Sequence, residues 1–148
     1  MSYPVQIKRL NGNEDIQLPT KASAWASGFD LHAAVTEPRM IQPGERQLIP
    51  TGLALAMPEG LEAQVRPRSG LAWKHGITVL NTPGTIDADY RGELKVILVN
   101  HGRDPFVIRR NDRIAQMVFQ IVPTVQLTET DKLTETVRGE GGFGHTGV

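Results

Sequence analysis

Short runs rich in β-branched and other apolar residues recur along the chain, and turn residues separate them. The 15 Gly and 10 Pro are spread throughout and interrupt the apolar runs. This rhythm is typical of an all-β sandwich or barrel. The pattern predicts nine strands: Val5–Arg9, Phe29–Ala33, Glu45–Pro50, Leu53–Met57, Leu61–Arg66, Ile77–Leu80, Glu93–Asn100, Phe106–Ile108 and Ala115–Val122.

One segment, Gly70–Lys74, has a helical pattern. Ser69 precedes it and is expected to act as the N-cap, while Gly76 is expected to end the helix. The sequence therefore predicts a single helix of one or two turns in an otherwise β-rich domain.

Asn81–Glu93 is the segment with the most reactive side chains. It lies between two predicted strands, so we expect a β-hairpin with its bend at Pro83-Gly84. An acid, an aromatic ring and an arginine then fall where the second arm begins: Asp87, Tyr90 and Arg91. Such a cluster favours a binding or catalytic site over a simple connection.

From about Pro123 the strand pattern ends. The last eleven residues contain five Gly and one aromatic residue, Phe143. Such a tail cannot bury enough apolar surface to order itself, which predicts a disordered terminus. A glycine-rich backbone that exposes N–H groups can also close around phosphates, and Phe143 could stack on a base.

Composition narrows the class of protein. At 148 residues and 16.3 kDa the chain fits one domain, and its formal net charge of zero provides no global field to attract nucleic acid or an anionic membrane. Cys is absent, which excludes disulfides and thiolate catalysis. No apolar run approaches the roughly 18 residues that span a bilayer, and no signal peptide is evident. We expect a soluble, cytoplasmic protein.

The type of basic residue points to a local anion site. Eleven of the sixteen basic residues are Arg, and the guanidinium group is suited to bidentate recognition of phosphate or carboxylate. The four His are too scattered in sequence to indicate a zinc site.

Five segments, in this order, resemble the motifs of the homotrimeric deoxyuridine triphosphate nucleotidohydrolase (dUTPase) family. They are Ala26–Ala33, Arg66–Ala72, Asn81–Glu93, Arg113–Met117 and Arg138–Gly147. The resemblance implies a jelly-roll-like β-barrel with one short helix over residues 1–122. Residues 123–148 would form a flexible arm that is exchanged to close a neighbouring subunit's site, in a homotrimer with shared active sites.

The same resemblance implies hydrolysis of dUTP to dUMP and pyrophosphate, by attack of water at the α-phosphorus. This would keep dUTP low and supply dUMP for dTMP synthesis. Mg²⁺ would be held mainly by the substrate phosphates and water, with no direct protein ligand, because no pair of carboxylates looks like a dedicated metal site.

Roles follow from matched positions. Asp87 matches the acid that activates water, although by itself it could be a turn residue that accepts backbone hydrogen bonds. Tyr90 matches the ring under the deoxyribose, where it would exclude a 2′-hydroxyl group; packing in a subunit interface is the alternative. The expected uracil-reading and neighbouring substrate contacts are Asn81, Gly84, Thr85, Ile86 and Lys95.

The phosphates would be bound by three other segments. Arg68, Ser69 and Gly70 match the phosphate-binding motif, and Gln116 matches a phosphate contact but could equally be structural. Asp30 matches a supporting acid. The arm is expected to provide the following residues: Arg138 for phosphate, Phe143 to cover uracil, and Gly144, His145 and Thr146. His145 departs from the family, which usually has Ser there, so its imidazole or its backbone N–H would contact the phosphate.

Two alternatives stay open at the level of sequence. A dCTP deaminase, or a bifunctional deaminase and dUTPase, has the same fold and would require a Glu against cytosine C4. A non-catalytic nucleotide-binding regulator would be expected to have lost the base or the arm, whereas Asp87, Arg138 and Phe143 are all present.

Overall fold

The computed structural model describes residues 2–147, and in this range it contains eleven strands and one short helix. The predicted all-β class with a single short helix is confirmed. The elements are β1 (Gln6–Arg9), β2 (Phe29–His32), β3 (Arg39–Ile41), β4 (Arg46–Pro50), β5 (Leu53–Ala56), β6 (Leu61–Arg66), α1 (Ser69–His75), β7 (Ile77–Val79), β8 (Gly84–Ile86), β9 (Lys95–Asn100), β10 (Phe106–Ile108) and β11 (Arg113–Ile121).

Antiparallel pairing distributes these strands among four sheets. The largest has the order β2-β11-β6-β8, and a three-stranded sheet has the order β4-β9-β7. Two further pairs, β1-β5 and β10-β3, complete the structure. Most partners are far apart in sequence, so the fold brings distant motifs onto shared sheets.

The core lies between these sheets and is built by alternation. In β6 the residues Leu61, Ala63 and Val65 are buried, while the residues between them are half-buried. This two-residue period is that of a strand with one face on the core. Leu98 and Ile114 are also buried. Each fully buried Leu or Ile side chain contributes roughly 1.5–3 kcal/mol of transfer free energy, which makes the sheets a firm support for the site.

The predicted hairpin is correct in its arms and wrong at its bend. β7 and β9 do pair, with Val79 opposite Leu98. However, Gly84 does not lie at a tight bend; it begins β8, which leaves this sheet and pairs with β6 opposite Val65. Gly84 is buried there, and the hydrogen bonds available on β6 determine its direction. The connection between β7 and β9 therefore belongs to two sheets.

Two short strands were not predicted, β3 and β8. β3 pairs only with β10, with Ile41 opposite Phe106. Both strands are three residues long, and neither stands out as an apolar run: β3 begins with the charged Arg39, and β8 begins with Gly84 directly after Pro83, a pair that in sequence indicates a turn. The other predicted strands occur within a few residues of their expected ends, including β11, which begins at Arg113.

The helix α1 ends as predicted but begins differently. Gly76 adopts φ 68°, ψ 20°, and its N–H donates to the carbonyl oxygen atoms of Ala72 and Leu71. Ser69 is not the N-cap, because it is already the first helical residue; Arg68 occupies the cap position and forms no side-chain cap hydrogen bond. The hydroxyl group of Ser69 is thus not used in capping.

Residues 123–147 form no helix or strand, and their side chains are almost all exposed. In the part of the chain that the structure describes, hydrogen bonds of this segment have their partners within it, for example from Arg138 Nε to the carbonyl oxygen of Gly141 at 2.8 Å. Leu127, Leu133 and Phe143 are exposed. The segment is not packed on the sheets of its own chain.

Candidate active site

A pocket of about 430 Å³ opens beside the connection between β7 and β9. Its apolar floor includes Leu48, Val79 and Ile97. Seven of the residues that the sequence predicts for the site line this pocket: Asn81, Gly84, Thr85, Ile86, Asp87, Tyr90 and Lys95. The structure therefore brings these seven residues to one cavity, whereas Arg91 does not line it and donates to the carbonyl oxygen atoms of Ala88 and Tyr90.

Asp87 follows directly after β8, at the point where the chain leaves β6. Its backbone carbonyl accepts a hydrogen bond from the Tyr90 N–H at 3.1 Å, which closes a turn. The side chain is exposed at the pocket, and among residues 2–147 no donor hydrogen-bonds its carboxylate. The carboxylate thus forms no hydrogen bond within the turn, and it is free to bind a water molecule or a ligand.

Asn81 lies at the other end of the pocket wall, in the turn that follows β7. Its amide is close to the backbone of Gly84, where a Cβ atom would lie 3.4 Å from the Asn81 Nδ2 atom and 3.4 Å from Val65 Cβ. These are ordinary van der Waals distances, so the amide of Asn81 lies directly beside the start of β8. An amide presents both a donor and an acceptor, which suits the reading of a base edge.

Tyr90 stands in the same wall and is held at its far end. The hydroxyl group donates to the carbonyl oxygen of Glu93 at 3.0 Å. Its ring lies against the Cα atom of Gly92, and 44% of the residue is exposed. The ring therefore has a fixed place in the pocket wall and still presents a face to the cavity.

Glu93 lines the pocket and was missed by the sequence reasoning. Its Oε1 accepts a hydrogen bond from the Gly52 N–H at 3.0 Å, and its Oε2 lies 3.8 Å from Lys95 Nζ. The alternation Glu93-Leu94-Lys95 could have suggested that the two charges share a strand face, because Leu94 between them is buried. The pair presents one negative and one positive group to the cavity.

A second group of predicted residues gathers around the start of α1. Asp30 lies between two guanidinium groups, 3.9 Å from Arg68 Nε and 3.6 Å from Arg113 Nη1. Arg68 also donates to the carbonyl oxygen of Arg113 at 2.9 Å. Ser69 and Gly70 are exposed beside it. This arrangement concentrates positive charge and leaves a hydroxyl group free, which is suited to an anionic ligand.

Gln116 belongs to the same group and is fixed from two sides. Its Nε2 donates to the carbonyl oxygen of Pro67 at 3.0 Å. On the other side it fills the space above Gly28, where a Cβ atom would collide with the Gln116 amide. β11 places Gln116 opposite both Asp30 and Arg66, so three of the motif segments meet at this residue.

His32 is buried two residues after Asp30, opposite Arg113 on β11. Its Nδ1 atom has no hydrogen-bond partner among the described residues. Burial lowers the pKa of this imidazole, the Asp30 carboxylate opposes that effect, and Arg113 and Arg68 add to it. His32 is therefore expected to be neutral at pH 7.

The predicted arm residues form a third group, apart from the other two. One open depression on residues 123–147 is lined by Val137 and Gly142 together with all five of them: Arg138, Phe143, Gly144, His145 and Thr146. We call the pocket beside the β7–β9 connection the hairpin pocket. Of the described residues that line it, none belongs to the arm or to the group around α1. Within a single chain the three groups do not form one continuous site.

Residues 2–147 contain neither a ready-made cluster of metal ligands nor a membrane-spanning helix. No group of three or more His, Asp or Glu side chains is placed to hold a metal ion. No helix in this range has the length and apolar character needed to cross a membrane.

Several solved structures that share this fold are dUTPases. The chain resembles a mutant dUTPase of Staphylococcus bacteriophage 80alpha bound to dUpNHpp, with 25% identity, a TM-score of 0.87, and coverage of 98% of this chain and 99% of that chain. A second mutant of the phage 80alpha enzyme matches with 26% identity, a TM-score of 0.87 and the same coverage. A mutant dUTPase from phage phi11 of S. aureus, described with a structural Mg(II) ion, matches with 22% identity and a TM-score of 0.79 over 89% of this chain and 99% of that chain. The structure thus has the jelly-roll-like fold of the dUTPases, as predicted.

A family model for dUTPase matches residues 14–147, which is nearly the whole chain. The chain therefore belongs to the dUTPase family and is a dUTP diphosphatase.

Proposed function

We propose that the chain hydrolyses dUTP to dUMP and pyrophosphate by attack of a water molecule at the α-phosphorus. The observation that carries this proposal is the single pocket lined by Asn81, Asp87 and Tyr90. An amide, a carboxylate without a hydrogen-bond partner in the described chain and an aromatic ring match the base, the attacking water and the sugar of one nucleotide. The dUMP that is formed would be available for dTMP synthesis.

Asp87 is assigned to the attacking water. A general base must lie within hydrogen-bond reach of the proton that it removes. The carboxylate of Asp87 is exposed to the cavity and accepts no hydrogen bond from the described residues, so a water molecule can occupy that position. Orientation of this water toward the α-phosphorus would provide the nucleophile.

Asn81 and the backbone of Gly84–Ile86 are assigned to uracil, and Tyr90 to the deoxyribose. A rigid wall rejects the thymine methyl group by steric clash, and the fixed order of backbone donors and acceptors in Gly84–Ile86 opposes cytosine. Tyr90 is fixed at its hydroxyl group by Glu93. A ring held in this way leaves no room for a 2′-hydroxyl group on the sugar.

The phosphates are assigned to the group around α1, with Arg68, Ser69, Gly70 and Gln116 as contacts and Asp30 as support. Cationic and hydrogen-bonding groups stabilise the charge of phosphoryl transfer. These residues do not line the hairpin pocket of their own chain. We therefore propose that one site combines the hairpin pocket of one subunit with the phosphate-binding residues around α1 of a second subunit. With an arm from a third subunit, this arrangement gives the homotrimer with shared sites that the family resemblance implies.

The arm is assigned to a third subunit. Residues 1–122 would form the β-domain and residues 123–148 the arm. Arg138 would bind phosphate, Phe143 would cover uracil, and the backbone of Gly144–Thr146 would close over the terminal phosphate. The exposed, unpacked state of this segment on its own chain supports an exchanged position.

Magnesium is proposed to arrive on the substrate phosphates. In residues 2–147 no cluster of three candidate ligands is present, so the donor set fits an ion that is held mainly by phosphate and water, with Asp30 and Gln116 as contacts to its water shell. When bound, the ion would neutralise part of the triphosphate charge.

The contacts of Glu93 argue against the deaminase alternative. A deaminase would require a Glu that is free to act on cytosine, and Glu93 is the glutamate in the pocket. Both of its carboxylate oxygen atoms are already engaged, one by the Gly52 N–H and one near Lys95. This arrangement favours the hydrolase.

Replacement of Asp87 by Asn tests the proposal. The amide retains the shape of the side chain but is a much weaker base, so dUTP turnover is expected to fall by at least about a thousandfold. Binding of the non-hydrolysable analogue dUpNHpp, measured by calorimetry, should change by less than about threefold. Turnover that survives the substitution would show that another group activates the water.

A further inference from the structure

Gly92 occupies a position at which the backbone conformation does not call for glycine. Its φ lies outside the left-handed region, unlike that of Gly76 or Gly52. Other residues could adopt this conformation without strain. The reason for a glycine here must therefore be the space that a side chain would fill.

That space is taken by Tyr90. A Cβ atom on residue 92 would lie 2.6 Å from Tyr90 Cζ and 3.0 Å from Cε2, and it would meet the hydroxyl oxygen even more closely. Carbon atoms at optimal contact are about 3.5–4.0 Å apart. A methyl group at this position cannot coexist with the observed ring.

The ring cannot yield without losing its anchor. Its hydroxyl group donates to the carbonyl oxygen of Glu93 at 3.0 Å, so a shift away from residue 92 would break this bond. Tyr90 lines the nucleotide pocket, with nearly half of its surface exposed. A displaced ring would thus change the shape of the wall that faces the sugar.

We propose that Gly92 is a specificity-determining positioning residue, which sets the place of the Tyr90 ring and thereby the preference for dUTP over UTP. This inference rests on the proposed assignment of Tyr90 to the deoxyribose. Gly92 touches neither the base nor the phosphates in this scheme; it acts through the ring that lies above it.

The test compares kcat/KM for dUTP and UTP in four proteins: the unmodified chain, Gly92→Ala, Tyr90→Ala and the double variant. Gly92→Ala is expected to lower the ratio of kcat/KM for dUTP to that for UTP by at least about tenfold. In the Tyr90→Ala background the ring is absent, so adding Gly92→Ala should change the ratio by less than about twofold. A purely structural role would not produce this dependence on Tyr90.

Thermal unfolding of the same four proteins separates folding from specificity. A Gly92→Ala protein that still folds cooperatively while its ratio falls supports the inference, whereas one that fails to fold, even if Tyr90→Ala restores it, would assign residue 92 to folding and overturn it. An unchanged ratio in Gly92→Ala would overturn it. So would an equal loss of ratio or of stability in both backgrounds, since that would assign residue 92 a backbone role.

The result for the unmodified chain distinguishes the two proposals. No turnover of dUTP would overturn the proposed function, and this inference with it. Turnover of dUTP with strong preference over UTP, combined with an unchanged preference in Gly92→Ala, would overturn this inference alone.

Discussion

Single side chains of the site are held mostly by backbone carbonyl groups. Tyr90 donates to Glu93, Gln116 donates to Pro67, and Arg68 donates to Arg113. The carbonyl group of Arg113 belongs to β11, and those of Glu93 and Pro67 lie within two residues of β9 and β6, so these side chains are largely in place before a ligand arrives. Such preorganisation reduces the cost of assembling a transition state.

His32 gives a pH prediction at this scale. Its pKa is lowered in the folded state by burial, relative to 6.5, so the unfolded chain binds more protons as the pH falls below 6.5. His32 therefore does not reduce the free energy of unfolding above pH 6.5, where it is neutral in both states. Below pH 6.5 the free energy of unfolding falls progressively, because the unfolded chain is protonated first. We expect His32→Leu to flatten this part of the curve of unfolding free energy against pH.

Urea unfolding between pH 5 and 8 measures this effect. The matched control is His101→Gln, at an exposed position, which should retain the slope of the unmodified chain. An undiminished slope in His32→Leu would show that the pH dependence arises elsewhere.

The residues that sequence could predict are those that carry reactive groups. Asp87, Asn81 and Tyr90 lie in one short segment, and the structure brings them to one pocket. Gly92 and Glu93 gain their roles from contacts with Tyr90, Gly52 and Lys95. The type of residue does not reveal such contacts, so their roles could not be predicted.

At the scale of elements, β8 decides the shape of the pocket. A Pro-Gly pair between two strands predicts a bend, and local sequence offers no sign that Gly84–Ile86 pairs with β6 instead. That pairing joins residues about twenty positions apart, and it depends on the free edge of β6. Long strands such as β9 and β11 were predicted because their apolar pattern is long enough to read.

The arm gives the prediction that belongs to this scale. Removal of the residues after Val137 deletes Arg138 and Phe143 and leaves every strand intact. We expect kcat/KM for dUTP to fall by at least about a hundredfold, because the phosphates and uracil lose their cover. The oligomeric mass, measured by light scattering, should remain that of three subunits.

Two comparisons make this result specific. Arg138→Ala and Phe143→Ala in the full chain should each reproduce part of the loss. Dissociation of the truncated protein into single chains would show that these residues hold subunits together rather than close the site.

At the scale of the whole molecule, the three groups of site residues lie apart on one chain. The hairpin pocket, the depression beside the proposed phosphate-binding residues around α1 and the depression on the arm share no lining residues. In this scheme the pocket of a single chain contacts the base and sugar of a nucleotide, and few groups of that chain are near enough to bind its phosphates. Assembly of several copies is the proposed solution.

The mass in solution tests this assembly. Three chains of 16.3 kDa give a particle of about 49 kDa, which we expect from light scattering at concentrations used for assays. Dilution should lower mass and activity together. A fully active species with the mass of one chain would contradict the shared site.

The identity of the products is the most direct test of the proposed function. The purified chain is incubated with Mg²⁺ and, separately, with dUTP, dTTP, dCTP or UTP, and nucleotide, pyrophosphate, orthophosphate and ammonia are quantified. Attack of water at the α-phosphorus predicts equal amounts of dUMP and pyrophosphate from dUTP, and turnover of the other three nucleotides is expected to be lower by at least about a hundredfold. Ammonia from dCTP, orthophosphate from dUTP, or comparable turnover of UTP would contradict it.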